Sequence, residues 1–152
     1  DAVSIPVIAA GGIATGKQML AAMVLGAAGV QIGSRFVASE EASSHLNFKQ
    51  RVINSREGDT QLALKKLTPV RLIKNQFFQQ VQDAENNGAS AESLANLLGR
   101  GRAKLGMFEG NLEEGELEIG QVSALIKEIK PAAAIVSEIW NEYNTAIKAI
   151  CS

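Results

Sequence analysis

The chain has 152 residues, enough for one domain with a real hydrophobic core. Its 46% apolar and 20% charged content is that of a soluble globular protein. Fifteen basic and sixteen acidic residues nearly cancel, so nothing in the charge calls for nucleic acid or an anionic membrane as a partner. No apolar run approaches the roughly 20 residues needed to span a bilayer. The one cysteine, Cys151, cannot form an internal disulfide framework and fits a reducing, cytoplasmic setting.

Residues 5–9 form a short, almost wholly apolar run closed by Gly11-Gly12. This pattern predicts a strand buried on both faces, as in a parallel sheet. The two glycines let the backbone turn tightly. Thr15-Gly-Lys-Gln18 is a capping-box pattern, so a helix is expected from there to about Leu25. Met19, Ala22 and Met23 share one face of it, and Gly26 closes it. Residues 29–32 read as a second short strand ending in Gly33-Ser34. Strand, glycine turn, helix, strand and glycine turn make a βα repeat of an α/β fold.

Glycines after two adjacent parallel strands leave backbone N–H groups at the carboxyl end of the sheet. A short helix from Gly33-Ser34 through Arg35 and Phe36 would add its N–H groups and dipole, which favour an anion. In a (β/α)₈ barrel the loops after the last two strands form a phosphate site in this way. A lone glycine pair reads equally well as a plain βα turn. Two glycine sites at matched strand ends, the second with a hydroxyl, point instead to phosphate.

The rest of the chain reads as a helix-rich α+β region. Ser39 is expected to cap a helix holding Glu40 and Glu41 in its first turn and running to about Ser55. Residues 61–67 and 70–73 read as two short strands. Residues 75–85 read as a helix with Phe77, Phe78 and Val81 inward, stopped by Asn86-Asn87-Gly88. Ser90 caps a short helix with Leu94, Leu97 and Leu98 on its apolar face. Further helices are expected over 102–108 and 118–129, with a solvated acidic loop over 109–118. The longest helix is expected from Pro131 to about Ile150, with a stripe through Ile135, Ile139 and Tyr143 that Val136 and Trp140 widen.

Several side chains in this region carry chemistry in principle. His45, the one histidine, reads as a general base or as a surface or capping residue, and without a paired group the second reading fits better. Arg71, Lys74 and Gln76 would suit an anionic substrate or cofactor phosphates, or a packed structural role. Arg100, Arg102 and Lys104 form a basic cluster that would meet a phosphate or simply face solvent. Phe77, Phe78 and Trp140 read as core. No Cys, His and carboxylate spacing suits a metal.

The segments Pro6-Val-Ile-Ala-Ala-Gly-Gly-Ile13 and Leu25-Gly-Ala-Ala-Gly-Val-Gln-Ile-Gly-Ser-Arg-Phe36 closely resemble the flavin-phosphate half of the nitronate monooxygenase family. That family was formerly called 2-nitropropane dioxygenase and includes the FMN-dependent enoyl-acyl-carrier-protein reductases. The resemblance continues in residues 40–49, in Val70-Arg-Leu-Ile-Lys-Asn-Gln76 and in Gly120-Gln121, and so covers most of the chain. Inosine monophosphate dehydrogenase and other phosphate-binding barrels share the glycine core but not these later blocks.

The resemblance implies the last βα units of an FMN-binding (β/α)₈ TIM barrel over 1–39 and a mostly helical cap over 40–152. It implies FMN as cofactor, with NAD(P)H as a possible electron donor, and a small-molecule substrate. It assigns the flavin phosphate to Gly11, Gly12, Gln31, Gly33 and Ser34, with Gln31 facing the barrel interior. The family's catalytic histidine falls upstream of the first strand, so no catalytic residue is expected here. A complete barrel needs about 200 residues or more, and Asp1 leads almost at once into a strand. The sequence is therefore expected to be the C-terminal portion of a longer protein. By itself it would be inactive and would form a homo-oligomer over its open strand edges.

Overall fold

The computed structural model describes residues 3–151, and Asp1 and the side chain of Cys151 lie outside them. The chain folds as two compact units. One joins the residues up to Ala42 to those from Glu128 onward, and the other is residues 43–127. The sequence reading grouped 40–152 together, whereas the C-terminal helix packs with the N-terminal βαβ segment.

In the first unit, β1 (Ile8–Ala10) and β2 (Gly29–Gln31) pair in parallel, with Ile8 opposite Gly29, Ala9 opposite Val30 and Ala10 opposite Gln31. Helix α1 (Gly16–Val24) connects them. Its capping box forms as the sequence predicts: the Gln18 N–H donates to Thr15 Oγ1 at 3.2 Å, and the Ala14 and Thr15 N–H groups donate to Gln18 Oε1 at 2.8 and 3.2 Å. Gly26, at φ +101°, ends the helix. The strands are not buried on both faces within this chain: Val7 is 51% and Ile8 53% exposed. Among the described residues each strand has a single partner in a two-stranded sheet, so one edge and much of the apolar face stay open.

Helix α2 (Ser34–Val37) follows β2 at once. The helix expected from Ser39 does not start there. The Glu40 N–H donates to the Lys130 carbonyl at 2.9 Å, which holds residues 39–40 extended. Ser39 Oγ instead accepts from the Ala42 N–H at 3.2 Å and closes a local turn. The Glu41 carboxylate accepts from the Ala132 N–H at 2.8 Å, placing an anion at the start of α6 (Ala132–Cys151). Helix α6 buries Ile135 and Ile139. Trp140, expected in the core, is 54% exposed and stacks on Tyr143 with ring centroids 5.5 Å apart. One residue past Ile139 turns it about 100° off the buried stripe.

In the second unit, α3 (Leu46–Ile53) is followed by an antiparallel hairpin of β3 (Thr60–Ala63) and β4 (Val70–Ile73). Then come α4 (Gln76–Asn86) and α5 (Ala91–Leu98). Phe77, Phe78, Val81, Leu72 and Leu94 form its core, as the helical spacing predicts. Lys104–Phe108 is a π-helical turn rather than the expected α-helix. Its Gly106 backbone meets Gly115 so closely that a Cβ on Gly115 would lie 2.1 Å from the Gly106 Cα. The helix expected over 118–129 is mostly extended. Ile73 donates to the Leu117 carbonyl at 2.9 Å and Ile119 to the Arg71 carbonyl at 3.1 Å, which draws 117–119 onto β4. Only Gln121–Leu125 is helical, as a 3₁₀ turn. The acidic loop is likewise not solvated throughout, because Glu116 and Leu117 are buried.

Candidate functional site

Because β1 and β2 run parallel with Ala10 opposite Gln31, the turns that leave them emerge at one end of the sheet. Gly11-Gly12 follows β1, and Gly33-Ser34 lies two residues beyond β2. The structure thus brings Gly11, Gly12, Gln31, Gly33 and Ser34 to a single edge, with Gly11, Gly12, Gln31 and Gly33 exposed and Ser34 half-buried.

The glycines are there for two different reasons. Gly11 and Gly12 have φ of +88° and +72°, a left-handed backbone that costs any other residue. Gly33 has φ −104°, which every residue adopts, and a Cβ built on it would meet nothing within 4 Å. Neither strain nor packing in the described chain requires glycine at position 33. The space in front of that backbone is open, and the Gly33 carbonyl is turned into α2, accepting from Phe36 at 2.9 Å and Val37 at 3.2 Å. The residues present therefore fit a phosphate held by backbone donors.

The start of α1 does not compete for this role. Gln18 takes the N–H groups of Ala14 and Thr15, and Glu142 Oε2 takes that of Gly16 at 2.7 Å. Its helix end already holds a carboxylate, which leaves the glycine turns at the strand ends as the place for an anion.

The other residues weighed in the sequence take structural places in the second unit. His45 caps α3, its Nδ1 accepting from the Asn47 N–H at 3.1 Å. Arg71 donates across the hairpin to the Thr60 carbonyl at 3.1 Å and to its hydroxyl at 3.2 Å. Lys74 and Gln76 are exposed at the ends of β4 and α4. The basic cluster disperses. Arg102 lies over the Phe77 ring at 4.6 Å and donates to the Leu98 and Glu114 carbonyls, and Lys104 pairs with Glu109 at 3.0 Å. Arg100 stays at the surface. Among the described residues, no group of three or more His, Cys, Asp or Glu could hold a metal ion.

Sequence reasoning passed over the residues behind the strand ends. Arg35, 8% exposed, pairs with Glu138 at 3.7 Å and donates to the Glu128 carbonyl at 3.4 Å. Lys130 bridges Glu128 and Glu138, and these hydrogen bonds, that to Glu128 the larger, raise its pKa above the ordinary value. The one sequence signal was the spacing of Glu138 and Glu142, four residues apart and so on one helix face.

A sequence profile described as nitronate monooxygenase matches residues 1–142. A probable nitronate monooxygenase of Staphylococcus aureus is 37% identical over 146 residues, covering 95% of this chain and 40% of the relative. Among solved structures, FabK from Thermotoga maritima superposes with a TM-score of 0.90 at 38% identity, over 97% of this chain and 47% of FabK. Nitroalkane oxidase from Streptomyces ansochromogenes superposes with a TM-score of 0.76 at 27% identity, over 97% of this chain and 42% of its own. The chain therefore spans less than half the length of each of these three proteins.

Proposed function

The chain belongs to the nitronate monooxygenase family, and on that premise we propose that the whole protein is an FMN-dependent oxidoreductase, with this chain supplying the flavin-phosphate grip. The supporting observation is the single edge at which two glycine turns meet, one of them with a glycine that neither strain nor packing explains. In this reading the barrel of the family's fold is completed by residues outside the described chain.

FMN, when bound, supplies the redox chemistry that side chains lack. The residues here bind and orient. The N–H groups of Gly11, Gly12, Gly33 and Ser34 would hold the phosphate, with the Ser34 hydroxyl and Gln31 as further polar contacts. Backbone donors fixed in the fold need no reorganisation when the phosphate arrives, so they hold it at low entropic cost. No group in this chain is assigned to move a proton. His45 is committed to the α3 cap.

The substrate reading is a nitronate oxidised with oxygen. Enoyl-thioester reduction driven by NAD(P)H is the alternative carried by the same resemblance, and the closer superposition on FabK than on nitroalkane oxidase keeps it. Anaerobic mixing separates them. Bleaching of the flavin band by an alkyl nitronate but not by NAD(P)H supports the first reading, and the reverse supports the second. A whole protein purified without any flavin absorbance, and unable to take up FMN, would overturn both.

A further inference from the structure

We propose that Glu138 and Glu142 are positioning residues for the phosphate grip, a two-point clamp on α6 that sets the spacing of the two glycine turns. The inference rests on the phosphate reading above. The two acids stand one turn apart on one face of α6. Glu142 Oε2 accepts the Gly16 N–H at 2.7 Å and so pins the start of α1, four residues after Gly12. Glu138 Oε2 pairs with the Arg35 guanidinium at 3.7 Å and so holds α2, which starts immediately after Gly33. Arg35 is buried, and its second contact, to the Glu128 carbonyl at 3.4 Å, leaves it little freedom to swing. Lys130 also pairs with Glu138 and fixes that carboxylate from the other side.

Both turns are thereby referenced to the same rigid helix. Donors that must converge on one phosphate lose much of their effect if they drift by half an ångström or so. Beside the three-residue strand pairing and the packing of α1 on α6 and β2, these two carboxylates are side-chain ties that reach each turn's own helix. Neither acid enters the glycine turns themselves, so their effect is exerted through α1 and α2.

Riboflavin shares the flavin ring of FMN but lacks the phosphate, so the ratio of their affinities isolates the grip. The test measures both dissociation constants by flavin fluorescence in the whole protein. The wild type is expected to prefer FMN. Glu142→Ala should weaken FMN binding about tenfold, the scale of a lost charge-assisted hydrogen bond, while riboflavin affinity holds. Glu142→Gln keeps an acceptor oxygen and should restore most of the preference. Where Glu142→Ala yields no folded protein, Glu138→Gln carries the same test, because it changes charge with almost no change in size. Equal weakening of both flavins, or an unchanged preference for FMN in Glu142→Ala (or in Glu138→Gln where that variant stands in for it), overturns the clamp. A wild type that binds the two flavins alike overturns the phosphate reading itself, and the clamp with it.

Discussion

Gly16 and Ile139 stand so close that a Cβ on Gly16 would lie 2.3 Å from the Ile139 carbonyl oxygen. The Tyr143 amide nitrogen would be equally near, at 2.3 Å. Both obstacles are helix backbone, which cannot rotate aside as a side chain can. Gly16→Ala should therefore force α1 away from α6 and destabilise the whole protein by about 1–3 kcal/mol, the range for overpacking. It should also lengthen the hydrogen bond from Gly16 to Glu142. Denaturant unfolding at matched conditions checks this, and an unchanged midpoint would show that α6 shifts freely.

His45→Ala should cost stability and leave chemistry alone. His45 accepts from the Asn47 N–H at the start of α3, and losing an N-cap typically costs about 1 kcal/mol. Turnover of the whole enzyme is expected within a few-fold of wild type. A loss of roughly a hundredfold, the scale of a removed general base, would show that His45 acts on substrate.

Much of this was legible in the sequence, but unevenly. The capping box at Thr15, the stop at Gly26, the Ser90 cap and the inward faces of α4 and α5 are local, and each was read correctly. The glycine turns were legible because they follow short apolar strands. The failures occurred where a distant partner overrides local preference. Ser39 has the side chain of a helix cap, yet pairing with Lys130 draws it into extended backbone. Glu118 was expected to begin a helix, yet hydrogen bonds to β4 hold 117–119 extended, with an isolated bridge between Leu72 and Glu118. The spacing of Glu138 and Glu142 puts them on one helix face, but nothing in the sequence says that Glu41 and Glu142 will meet helix starts and Glu138 the Arg35 side chain.

Glu116 gives a pH dependence of definite sign. Burial is the main cause that raises its pKa above the ordinary 4.5, and the neighbouring Glu118 adds to it. The folded state then holds the proton more tightly than the unfolded state. Its contribution to stability is present in full below 4.5 and is lost as pH rises through the higher folded value. Glu116→Gln, which cannot ionise, should be more stable than wild type at neutral pH, with the gap shrinking as pH falls towards 4.5. Unfolding midpoints across that range check it. A gap that widens on acidification would mean that the ionised form is the favoured one.

The 152-residue chain expressed by itself should self-associate. Val7 and Ile8 are about half exposed beside an open strand edge, and Val136 and Trp140 are similarly exposed on α6. A dimer over the strand face is the simplest way to cover them. Light scattering on dilute protein should give a mass above that of one chain. A monomer with cooperative unfolding would show that the open edges are tolerated in water.

The most direct measurement is the FMN affinity of the whole protein carrying Gly33→Asp. Position 33 has an ordinary φ of −104° and open space around its would-be Cβ, so the substitution should leave folding almost untouched. It puts a carboxylate where a phosphate dianion needs bare N–H groups. Like charges brought together in this way cost several kcal/mol, so FMN affinity should fall roughly a hundredfold or more, with riboflavin affinity little changed. Equal FMN affinity in the variant and the wild type, measured by fluorescence quenching on folded protein, would contradict the assignment of the phosphate to these turns.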